Sequence, residues 1–227
     1  MRSSKFIKGC TLGCTVFGFI ALATSGARAA SLSVSGWTLG EQVNVASASV
    51  NGWVNTAELA VKFDGKAGSS FCVDLAQSIG SGTTTGWEAR SVDGNAALIR
   101  AAWLIDRFQP AFGDLLAPGV TQQTLIAALQ VSIWEVMAEA PGQYDLYNGD
   151  FALVSGGASP GVMNLARGFL GELGSADLGS FKTGATWAYS ATRQDQLVSS
   201  PIPEPNSLLL FAAGASLVAL VARHKRV

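Results

Sequence analysis

Cys72 is the one thiol that an exported form of this chain would retain. The chain has three cysteines, and Cys10 and Cys14 both lie in a short N-terminal stretch of leader character. A thiol can pair, ligate a metal, attack a carbonyl, or sit inert as a small buried hydrophobe. Pairing within the exported chain is closed to it. Zinc ligation needs a set of His and Cys donors, and the single histidine is His224, near the C-terminus. A cysteine hydrolase needs an adjacent base, and the same histidine lies beyond an apolar run. The pattern Gly157-Ala-Ser-Pro-Gly161 satisfies G-x-S-x-G, but no triad closes without histidine, so Ser159 reads as a helix cap. Carboxylate pairs of glycosidase type have no distinguishing spacing here. We therefore expect no enzyme, no cofactor and no metal.

A second residue poses a matching question. Read as a helix, residues 121–136 place Ile126, Gln130, Ile133, Trp134 and Met137 on one face. Four of these are core residues and the fifth carries a carboxamide. A buried amide without partners costs about 1–3 kcal/mol, so Gln130 needs a reason to be there. A backbone hydrogen bond is the ordinary one. The other is chemical: a cysteine sulfur that attacks the glutamine carbonyl expels ammonia and leaves an intramolecular thioester. In a strand reading of 71–75, Phe71, Val73 and Leu75 face one side while Cys72 and Asp74 face the other.

These segments resemble the thioester domains of Gram-positive surface adhesins. Those domains carry an aromatic-Cys segment in an early strand and, after a helical insertion, a Thr-Gln-x-Ala-Ile-Trp segment. The counterparts are Phe71-Cys72 and Leu129-Gln130-Val131-Ser132-Ile133-Trp134, with Leu129 in place of threonine and Ser132 in place of alanine. Thr121-Gln122 copies the family's dipeptide, but no Ile-Trp follows it at the right distance. The resemblance implies a Cys72–Gln130 bond, a stored electrophile that amines open to a stable amide. Water competes with them, so apolar walls should shield the bond. Phe71, Trp103 and Trp134 are the candidates. Asp74 either orients the incoming amine or is a solvated strand residue.

The elements that position these residues follow from periodicity. From Ser31 to Leu75 the chain alternates, in "SLSVS", "QVNV" and "LAVKF", as antiparallel strands do. Residues 78–86 read as a loop whose glycines miss the dinucleotide-binding spacing. Asp93 is the expected cap of a helix with Leu98, Ala101, Ile105 and Phe108 on its stripe, ended before Pro110. A second helix runs from Thr121 to about Glu139. A third starts at Ser159-Pro160 and carries Val162, Leu165, Phe169 and Leu173. Alternation returns at "TWAYSA". The expected fold class is α+β: an antiparallel sandwich or barrel-like sheet with an insertion of about three helices.

The two ends read as export and sorting. Arg2, Lys5 and Lys8, the apolar "CTVFGFIALA" and "ARA" at 27–29 give residues 1–29 the layout of a signal peptide. Gly13-Cys14 resembles a lipobox, but its cysteine precedes the apolar run. At the other end, residues 199–205 form a linker ending in Pro203-Glu204-Pro205. Residues 206–222 are uncharged, and 223–227 hold Arg223, Lys225 and Arg226. At ~1.5 Å per residue the uncharged run covers about 25 Å, against roughly 30 Å of bilayer hydrocarbon. The basic cluster is expected to stay cytoplasmic, with everything before it outside. This end resembles the PEP-CTERM sorting signal of Gram-negative bacteria. The resemblance implies processing by an exosortase, an inner-membrane-anchored precursor and a destination at the cell surface or in the extracellular matrix.

Between Ala30 and Pro205 lie eight basic and sixteen acidic residues, a net charge of −8 hidden by the near-neutral total. Such a field repels phosphate backbones, so nucleic acid is not an expected partner. The expected ectodomain is 30–198. Its function is covalent attachment through Cys72–Gln130 to an amine-bearing surface or matrix ligand. The alternative is a non-covalent structural or carbohydrate-binding component of the envelope or exopolysaccharide matrix, with Cys72 as buried core.

Overall fold

The computed structural model describes residues 29–199. The signal peptide, the Pro-Glu-Pro linker, the expected membrane helix and the basic tail lie outside the described residues, apart from Ala29 and Ser199. Among the described residues no helix is long and apolar enough to cross a membrane.

Among the described residues there are nine strands and four α-helices. Strands β1 (Ala30–Leu39), β2 (Val43–Ser47), β3 (Asn51–Val54), β4 (Ala57–Phe63), β5 (Lys66–Cys72) and β6 (Gly82–Arg90) come first. Helices α1 (Ala96–Phe108), α2 (Phe112–Leu115) and α3 (Gln122–Ala138) follow. Then come β7 (Phe151–Leu153), α4 (Pro160–Gly174), β8 (Thr186–Tyr189) and β9 (Gln196–Ser199). Six strands close a barrel in the order β1-β4-β5-β9-β8-β6, and β3-β2-β7 form a small separate sheet. Every pairing is antiparallel. The α+β class holds, with a closed barrel as its sheet.

Strand alternation divides the apolar residues between two cores. Leu32, Val34, Leu59, Val61, Phe63, Trp87 and Val198 pack together as the barrel filling. Phe71, Val73 and Leu197 point the other way, into a larger core shared with α1, α3, α4 and the small sheet. Strand β5 thus serves both cores. Ser70 is paired with Val198 on one face of the ladder, and Phe71 with Leu197 on the other. Gly68 lets these strands approach: a Cβ there would collide with the Ser199 carbonyl.

Helix α3 is the axle of the larger core. Thr121 caps it, accepting from Thr124 N–H, and the Thr124 hydroxyl answers at Thr121 N–H in a reciprocal capping box. Thr124 to Val136 are all buried. A helix buried on every side must be apolar on every side or satisfy its polar groups internally. Ser132 does so by donating to the Ala128 carbonyl at 2.8 Å. The expected stripes of α1 and α4 also face this core: Leu98, Ala101, Ile105, Phe108, Val162, Phe169 and Leu173 are buried. Phe108 and Phe169 stack at 4.0 Å where the two helices meet.

Two local expectations are corrected. Asn95 rather than Asp93 caps α1, its Oδ1 accepting from Ala97 and Leu98 N–H. Asp93 instead accepts from the Ser91 hydroxyl at 3.0 Å. The stretch 78–86 is not a loop throughout, because β6 begins at Gly82. Its run Thr83-Thr84-Thr85 is β-branched, suits a pleated strand, and pairs with Ser31 to Ser33 of β1.

Candidate functional site

Strand β5 ends at Cys72, opposite Gln196 of β9. Gln130 sits mid-way along α3, 58 residues further along the chain, and its carboxamide meets that strand end. Gln130 Nε2 donates to the Cys72 carbonyl at 2.7 Å, and Cys72 N–H donates to Gln130 Oε1 at 3.2 Å. Both polar ends of the amide are satisfied by one residue's main chain. The glutamine thereby continues the β5 ladder where no further strand pairs on that side. This accounts for an amide on a core face of α3.

The sulfur has different neighbours. Cys72 Sγ–H donates to Gln194 Oε1 at 3.0 Å, and Gln196 Nε2 donates to the sulfur at 3.2 Å. Gln196 is fully buried and accepts from the Ser70 hydroxyl at 3.0 Å. Three glutamines therefore surround Cys72, one on its backbone and two on its sulfur. Burial is the main cause that pushes the Cys72 thiol up to about 12. The Gln196 hydrogen bond opposes the shift, and the negative charge of Asp74 adds to it. A thiol raised that far is protonated at neutral pH and a weak nucleophile, although Cys72 as a residue is only half-buried.

Asp74 ties this region together. Its Oδ1 accepts from Gln77 N–H at 3.1 Å and its Oδ2 from Asp195 N–H at 2.6 Å. The Asp74 carbonyl takes Gln194 Nε2 at 2.7 Å. Asp195 then accepts from Trp187 Nε1 and Ser190 N–H. Burial raises its carboxyl above the usual range, against the pull of those hydrogen bonds. The turn before β9 is in this way fastened to the exit of β5, and the two glutamines are held at the sulfur.

A cleft of about 470 Å³ opens beside the seam. Val73 and Asp74, directly after Cys72, form one wall, and Trp134, one turn beyond Gln130, forms another. Phe151 adds an aromatic face, its ring 6.1 Å from that of Trp134. Asp150 and Met137 also line it, as do Ser47 and Ser49 with their hydroxyls, and small or aliphatic residues complete the rest. The Trp134 indole N–H is buried and has no acceptor among the described residues.

The expected shielding residues divide. Phe71 is fully buried and Trp134 nearly so, both in the core that encloses Gln130. Trp103 makes its ring contact edge-on with Phe108 at 6.0 Å and does not line the cleft.

One feature escaped the sequence reading. Glu135 is the only charged residue of α3, and it is fully buried. Its Oε1 accepts from Asp145 N–H at 2.6 Å, while Oε2 has no partner among the described residues. Burial first, with the charges of Glu139 and Asp145, pushes its carboxyl up to about 7 despite the Asp145 hydrogen bond. A lone acid inside an apolar helical run was the available signal. The folded state favours the protonated acid, since 7 exceeds the ordinary 4.5. Its contribution to stability is thus complete below about pH 4.5 and lost as pH rises through about 7. Glu135→Gln keeps the Asp145 bond and removes the ionisation. Thermal melts should show the variant more stable at pH 8 by about 1–2 kcal/mol after allowance for solvent screening, with a flatter pH profile.

Comparison with known proteins bears on the C-terminus. Residues 201–226 match the model of the PEP-CTERM protein-sorting motif. No curated protein and no solved structure matches the chain. The match covers Pro203-Glu204-Pro205, the uncharged run and the basic residues up to Arg226. The chain thus carries a PEP-CTERM protein-sorting motif, which supports an exported precursor, anchored in the membrane, processed by exosortase and sorted to the cell surface of a Gram-negative bacterium.

Proposed function

We propose that the ectodomain of this sorted protein forms an internal thioester between Cys72 and Gln130 and uses it to attach covalently to amines on a surface or matrix ligand. The observation that carries the proposal is the meeting of the Gln130 carboxamide with the main chain of Cys72, two residues from separate elements, at a partly buried seam. Bond formation requires the sulfur to leave Gln194 and Gln196 and turn to the Gln130 carbonyl carbon. The S–C bond forms as the C–N bond breaks, and the thiol proton departs with the amide nitrogen as ammonia. An incoming primary amine then attacks the same carbon. An amide forms, the S–C bond breaks, and a proton from the amine returns to sulfur. The chain acts once per bond and is not a turnover catalyst.

Its setting suits this use. Phe71 and Trp134 are buried next to the seam, as a bond that water must not reach would need, and a surface-sorted protein meets amine-bearing polymers and proteins. Intact mass of the exported chain tests the proposal. The wild type should be lighter than its sequence by one ammonia, and Cys72→Ala and Gln130→Ala should each have full mass. Full mass in the wild type, with one thiol titrating after unfolding, would leave Gln130 as a structural clamp and Cys72 as core.

A further inference from the structure

We propose that the cleft beside the seam is a reversible docking site for a cationic alkylamine chain bearing a neighbouring carbonyl, as a lysine side chain does within a peptide. The idea rests on the thioester reading for its purpose, but the binding step is independent of the bond. Three observations carry it. First, the cleft is walled by the residues that follow the two bond partners, Val73 and Asp74 after Cys72 and Trp134 after Gln130. A guest seated there touches residues that are near neighbours in sequence of both partners. Second, the charged lining residues are Asp74 and Asp150, both acidic, while Val73, Met137 and Phe151 offer apolar surface. That combination suits methylenes ending in ammonium and repels carboxylates and phosphates. Third, the buried indole N–H of Trp134 lacks an acceptor among the described residues. A buried donor left unpaired is costly, and a guest carbonyl would satisfy it. The volume lies within the usual range for small-ligand sites. A polyhydroxylated amino sugar is a poorer fit, because Val73, Met137 and Phe151 would face its hydroxyls and the neutral hydroxyl groups of the lining are those of Ser47 and Ser49 alone.

The test uses the full chain with Cys72→Ala, in which no covalent bond can form, so docking and bonding fail separately. The probe is Nα-acetyl-lysine methylamide, with the norleucine counterpart and glucosamine as controls, followed by the Trp134 indole N–H resonance assigned through Trp134→Phe. We expect a saturable shift with the lysine compound. Asp150→Asn should weaken it about threefold to tenfold, and the two controls should bind at least tenfold more weakly. No saturable shift, equal binding of the norleucine compound or glucosamine, or an unchanged affinity in Asp150→Asn would each overturn the proposal. Docking by Cys72→Ala alongside a full-mass wild type would retain this site and remove the thioester. A light wild type without docking would do the reverse.

Discussion

In the Cys72→Ala chain, where no bond can form and Gln130 keeps its carboxamide, replacing Gln130 with alanine is expected to lower stability by about 3–5 kcal/mol. The loss leaves the partly buried main-chain N–H and C=O of residue 72 without their partners, at up to about 1–3 kcal/mol for such a group, and opens a void in the centre of α3. Gln130→Glu, compared in the same chain, separates the contributions. It fills the same volume and accepts from the N–H of residue 72, but its second oxygen faces the carbonyl of that residue, where Nε2 now donates at 2.7 Å. Two acceptors cannot share that contact unless a proton lies between them. The substituted acid must stay protonated, so its folded pKa rises above the ordinary value. Its stability is then fullest below about pH 4.5 and falls as pH rises. Denaturant melts at pH 4 and pH 8 should show a larger deficit at the higher pH. An equal deficit at both would mean that the two-point clamp is not made in solution.

Phe71→Ala is expected to cost about 3–5 kcal/mol and to expose the seam. Phe71 is fully buried, stands opposite Leu197 on β9, and turns into the core that contains α3. Truncation leaves a cavity between the barrel wall and the helix bearing Gln130. If the thioester forms, water reaches it faster in this variant. Its mass deficit should decay on storage under conditions where the wild type keeps its own. Trp87→Ala is the control. Trp87 is equally buried but fills the barrel, so its removal should lower stability comparably without the same effect on the bond.

The parts of this site that sequence could reveal are those set by local pattern. Thr121 and Ser159 cap their helices as their types suggest, because capping is decided within four residues. The helical offset that placed Gln130 among Ile126, Ile133 and Trp134 is likewise local. Gln194 and Gln196 were not legible as neighbours of the sulfur. They reach it only because β5 pairs with β9, more than 120 residues later, as the barrel closes. Alternation gives the face of a strand but not its partner. The same blindness explains Trp103, which lies outside the expected α1 stripe and was a candidate by nearness in sequence alone, while its ring meets Phe108. The loop reading of 78–86 holds for 78–81 and fails from Gly82 on, for a related reason. Glycines suggested a break, but β6 gains its hydrogen bonds from β1, and that tertiary pairing outweighs the local preference.

The most direct measurement is methylamine treatment of the exported protein, followed by peptide mapping and thiol titration in denaturant. The thioester account predicts no free thiol before treatment. Afterwards it predicts one thiol at Cys72 and one methylamide at Gln130, neither appearing in Cys72→Ala. A thiol already titratable in untreated protein, with Gln130 unmodified by the amine, would contradict it.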